Sequence, residues 1–167
     1  TGKKNAYIPR VLMMVLTTVL IGVIVAIMLV VGQIQGTARV VNYAGLVRGE
    51  TQRIVKLENA GLPQDGMIDD VTSFIAGLRF GSNELQLVRL NDVNFQNKMA
   101  ELSDEFETLK KDIQLVRTVG YHQTDIIQQS EDFFAICDEA TGLAAAYSQR
   151  RATILSYLEN VAVADIV

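Results

Sequence analysis

The sequence predicts an all-α chain: an N-terminal transmembrane helix that continues into an antiparallel up-down-up-down four-helix bundle with a short second helix. Three observations predict it. Residues 11–31 run for 21 positions without a charge. Two later stretches repeat apolar residues at alternating steps of four and three, the seam of helices packed side by side. Glycine or proline marks each break between stretches, at Gly61-Leu62-Pro63, at Gly81 and at Gly120.

Composition narrows the class further. At 167 residues the chain holds one domain plus attachments, and 49% apolar residues with no Trp and two Pro suit helices better than sheets. The net charge of −4 is unevenly spread. Lys3, Lys4 and Arg10 are the charges before residue 32, so the remainder carries −7. That balance argues against a nucleic-acid partner, which calls for a basic face. Cys137 stands alone and forms no internal disulfide. A start without Met and a stop inside an apolar run are those of a piece of a longer protein.

The uncharged run VLMMVLTTVLIGVIVAIMLVV, at about 1.5 Å per residue, matches a hydrocarbon core of about 30 Å. It is too long for a signal peptide and lacks a small-x-small cleavage site. The basic residues before it place residues 1–10 in the cytoplasm as a tail, with residues 32–160 outside as the bundle. From Gln33 the helix is expected to continue unbroken to about Asn59. Along it Val40, Val41, Ala44, Val47, Thr51, Ile54 and Val55 share an apolar arc, and Arg48 falls inside that arc. A guanidinium on a packing face needs a partner: an acid on a neighbouring helix, an escape past the edge of the stripe, or an anion.

The second helix is expected at about 64–80, with Asp65 as N-cap and Met67, Ile68, Val71, Phe74, Ile75 and Leu78 on one face. Gly81-Ser82-Asn83 closes it, and 84–90 is expected to be irregular. The third helix, capped by Asn91 or Asp92, carries the seam Phe95, Met99, Leu102, Phe106, Leu109, Ile113 and Val116 and stops at Gly120. The fourth begins near Thr124 or Asp125. Its seam is Ile126, Ser130, Phe133, Cys137, Ala140, Ala144, Tyr147, Arg151, Ile154, Leu158 and Val161, with Ala140, Ala144, Ala145 and Ala146 allowing close approach. Residues 161–167 read as the start of a second membrane helix, although Asp165 is costly there.

The stretch VNYAGLVRGETQR resembles the signature helix of the extracytoplasmic sensor domains of nitrate/nitrite sensor kinases and type IV pilus chemotaxis-like transducers, (I/V)NxAGxxRMxSxR. Asn42, Ala44, Gly45, Arg48 and Arg53 match in register; Thr51 stands for Ser and Gly49 for Met. NYAGLVRGETQRIVKLENAG is also similar to N-terminal sensor regions of bacterial diguanylate cyclases. The resemblance implies a homodimer joined through the first helix, with Arg48 binding a small anion such as nitrate or nitrite; Thr51 and Asn42, a helical turn or so away, are expected to add donors. Ligand binding is then expected to bias the placement of the first and fourth helices and to relay a shift to a cytoplasmic output domain, for which the resemblance allows a diguanylate cyclase, a histidine kinase or a chemotaxis transducer.

Other chemistry is not expected. His122 is alone in a loop, and Cys137 lies on an apolar seam, so neither suggests a metal set. Nucleophile, phosphate-loop and zinc-protease motifs are missing, and no cofactor or catalysis is expected. The alternative to a sensor is a ligand-free dimerisation or protein-interaction bundle, with Arg48 paired to an acid of the fourth helix such as Glu139.

Overall fold

A computed structural model describes residues 7–164. These fold into four α-helices: α1 (Tyr7–Asn59), α2 (Asp65–Phe80), α3 (Val93–Val119) and α4 (Ile126–Ala164), with a 3₁₀ turn at Tyr121–Gln123. No strand forms among the described residues; an isolated bridge joins Ser82 and Leu87. Two compact units are present, and α1 and α4 contribute to both. The first comprises α1 up to Gln35 with α4 from Arg150 onward; the second is 36–149. The expectations for Lys3, Lys4 and Asp165 lie outside the described residues.

In the first unit, the N-terminal part of α1 is apolar on all sides and long enough to cross a membrane. Its most apolar window has a mean hydropathy of 3.0, and none of it is buried against protein. Thr17 and Thr18 donate their hydroxyls to the carbonyls of Met13 and Met14 at 2.8 and 2.9 Å. Those bonds satisfy the two hydroxyls within the helix itself.

The second unit holds the whole core. Seven α3 residues, Phe95 to Val116 at steps of four and three, are all buried, as their spacing predicts. They meet Val40, Val47 and Ile54 of α1, Val71, Ile75 and Leu78 of α2, and Ile126, Phe133, Cys137, Ala140 and Ala144 of α4 in one cluster. Phe106 and Phe133 lie 5.6 Å apart between ring centroids. On α4 the predicted seam holds as far as Ala144, with Tyr147 partly buried. Beyond that, Arg151 is partly buried, Ile154 is half exposed, and the side chains of Leu158 and Val161 lie outside the described residues; Ala145 and Ala146, off the seam, are exposed. A four-three pattern buries residues only where neighbours exist to cover them, and the core cluster ends at Ala144.

The ends of the helices follow local chemistry. α1 stops in a Schellman arrangement, with Gly61 at φ 78° and the Leu62 N–H donating to the Leu57 carbonyl at 2.9 Å. Asp92 caps α3 by accepting the Phe95 N–H at 2.9 Å. Asp65 does not cap α2: Gln64 occupies that position, and Asp65 is the first helical residue, turned to an arginine instead. Between α2 and α3 the chain is irregular, as expected. It is pinned by the Ser82–Leu87 bridge and by burial of Leu87 and Leu90.

Candidate functional site

The site predicted around Arg48 is built where α1 runs beside α4. The arc of α1 is buried at Val40, Ala44, Val47, Thr51, Ile54 and Val55, whereas Val41 and Arg48 stand at its edge. Arg48 is therefore a rim residue, not a seam residue: its side chain is 36% exposed. Its Nε lies 2.8 Å from Oδ1 of Asp138 on α4. That N–H is not directed along a hydrogen bond, so the contact is an ion pair by proximity. The guanidinium also rests over the Phe134 ring, 5.5 Å from its centroid. Phe134 and Asp138 are one helical turn apart, so a single face of α4 supplies both the apolar rest and the counter-charge. The acid singled out from the sequence, Glu139, points elsewhere: it pairs with Lys98 of α3 at 2.7 Å. Hydrogen bonds from Lys98 to Glu101 and then to Glu139 hold the ammonium above its usual pKa.

Thr51 and Asn42 do not join Arg48. Thr51 is buried completely within the core, and its hydroxyl has no hydrogen-bond partner. Asn42 is exposed on the outward side of α1. With it lie Ala38, Gly45, Gly49, Gln52 and Lys56, all exposed and spaced four-three. A methyl built on Gly45 or Gly49 would meet nothing within 4 Å. The outer surface of α1 is thus a smooth strip of small and polar residues, with Arg48 on the border between it and α4.

Cys137, between Phe134 and Asp138 in sequence, is fully buried. Burial, and secondarily Asp138, pushes its thiol up to about 12, against the opposing pull of Arg48. It is an inert packing group at neutral pH. His122 is exposed on the 3₁₀ turn and stacks on Tyr121, with ring centroids 3.9 Å apart. Among the described residues no cluster of His, Cys, Asp and Glu could hold a metal ion.

Sequence reasoning missed a second polar centre. Glu58 is buried, with 1% of its side chain exposed, and its carboxylate takes a forked pair of bonds from Arg117 at 2.6 and 2.9 Å. The Gln64 N–H donates to the same carboxylate at 2.8 Å, and Arg117 also reaches Asp65 at 2.8 Å. The arginine's pKa is raised by the hydrogen bonds to Glu58 and then Asp65. The signal was present in the helical phase. Glu58 follows Thr51 and Ile54 at steps of seven and four, on the most buried line of α1.

No family model and no curated protein matches the sequence. Among solved structures, the chain is similar to the ligand-binding domain of the P. aeruginosa nitrate receptor McpN. The TM-score is 0.58 at 17% identity, over 66% of this chain and 96% of that one. The fold is shared with a receptor's ligand-binding domain.

Proposed function

We propose that residues 32–160 form the extracytoplasmic input domain of a bacterial transmembrane receptor that senses a small anion. In this reading residues 1–10 are a cytoplasmic tail, 11–31 cross the membrane and 161–167 begin a second crossing. The helices alternate up, down, up, down. Support comes from the pairing of Thr37 with Ser148 at 3.1 Å and of Arg48 with Asp138, where numbers rise along α1 as they fall along α4. The similarity to a nitrate receptor's ligand-binding domain supports the sensing role.

The observation that carries the proposal is Arg48, a half-exposed guanidinium on the border of an open strip of small residues. A second copy packing along that strip would bring two Arg48 side chains near the dimer axis. Two such cations repel, and an oxyanion such as nitrate or nitrite between them would bridge both through charge-assisted hydrogen bonds. Asn42, on the strip, would add a donor; Thr51 would serve the packing beneath it. Binding favours one placement of α1 against α4, and that bias would pass along α4 to a cytoplasmic output domain. Titrating the chain in phospholipid nanodiscs with nitrate, nitrite and chloride, beside Arg48→Ala, tests this. Binding lost in the variant is expected; equal binding, or none in either, removes the mechanism.

A ligand-free dimerisation or interaction bundle is the second reading. The Arg48–Asp138 pair within one subunit favours it, since the cation already has a counter-charge. Under this reading Arg48→Ala changes stability and leaves anion titrations flat.

A further inference from the structure

Resting on the reading of Arg48 as an anion site, we infer that Asp138 is its built-in competitor, and that exchange of Arg48 between Asp138 and the anion couples the site to α4. The geometry carries the inference. Asp138 contacts Arg48 at 2.8 Å, yet the Nε N–H is not aimed at the carboxylate, so charge holds the pair rather than a fixed fork. Both partners are open to solvent, Asp138 at 63% and Arg48 at 36% of the side chain, so a dissolved anion reaches the guanidinium without opening the core. Guanidinium presents five N–H donors, of which this contact engages the Nε side alone. Among the described residues Asp138 is the one carboxylate paired with Arg48, because Glu139 is held by Lys98.

An anion bound at Arg48 therefore sits near a fixed negative charge and meets a cation already partly neutralised. Asp138 lowers the affinity, and by linkage the bound anion loosens the Arg48–Asp138 pair by the same factor. The loosened partner is on α4, one turn from the Phe134 ring under the same guanidinium and next to the buried Cys137. Occupancy on α1 is thereby felt on α4 without a movement of the core.

The test uses the chain in nanodiscs at constant ionic strength, with sodium nitrate as the probe and amide NMR as the readout. Asp138→Asn is expected to bind nitrate about two- to fivefold more tightly, the range an exposed ion pair supports. In it, the nitrate-induced shifts of 134–141 are expected to shrink while those of 44–52 persist. Asp138→Glu, which keeps the charge, is expected to retain both the wild-type affinity and the α4 response. Unchanged or weaker affinity in Asp138→Asn, or undiminished shifts on α4, overturns the competitor role. If Arg48→Ala meanwhile abolishes binding, the anion site itself stands. Absence of nitrate binding in the wild type, or equal binding in Arg48→Ala, takes down the site and the competitor together.

Discussion

Arg48 and Glu58 show how helical phase places two charges of one helix differently. Glu58 lies on the deepest line of α1 and is satisfied by a fork from Arg117, whereas Arg48 lies at the edge and keeps contact with water. Removing one partner of a buried pair strands the other, which costs more than the pair itself contributes. Arg117→Ala is therefore expected to destabilise the chain by about 3 kcal/mol in chemical denaturation, while Arg48→Ala costs less than about 1 kcal/mol, as for an exposed pair. Cys137 gives a pH signature. Its folded-state pKa is raised from 9.0 to about 12, so the stability tied to the neutral thiol is full below about 9. It is lost as pH rises from there towards 12. Cys137→Ala should flatten that part of the stability profile, and at pH 8 the native thiol should react with a disulfide reagent only after denaturant is added.

At the scale of the element, α1 is two different helices in one. Its N-terminal part is apolar all round, and from Val40 the buried arc faces the core while the opposite side stays open. Gly45 and Gly49 sit mid-helix on that open side with nothing near them, so their lack of a side chain serves no contact inside the subunit. Alanine at either position is expected to stabilise an isolated subunit by roughly 0.5–1 kcal/mol through helix propensity. Gly49→Leu tests the proposed dimer. Sedimentation of the chain in micelles should show self-association weakened at least about tenfold, a loss of about 1.4 kcal/mol. The fourth helix gives the opposite lesson. Its four-three pattern continues past Ala144, but the core does not, so Ile154 is left half exposed.

For the whole molecule, the basic residues before an apolar run and the acidic balance after it are the ground for the proposed orientation. Gln114 is exposed on α3, within the bundle. In the proposed topology Gln114→Cys is expected to be labelled in intact cells by a membrane-impermeant maleimide, and the buried Cys137 is not. Labelling only after lysis would put the bundle on the cytoplasmic side.

The sequence by itself determined the four helices, their stops at Gly61, Gly81 and Gly120, the seam of α3 and the apolar length of α1. All of these follow from periodicity and backbone chemistry within a few residues of one another. Tertiary structure decided which acid meets Arg48, that Arg48 stands at the rim of the arc, and that Glu58, Arg117 and Asp65 tie three helices together. Those choices depend on the rotation and register of one helix against another, where a single residue's step, from Glu139 to Asp138, changes the partner.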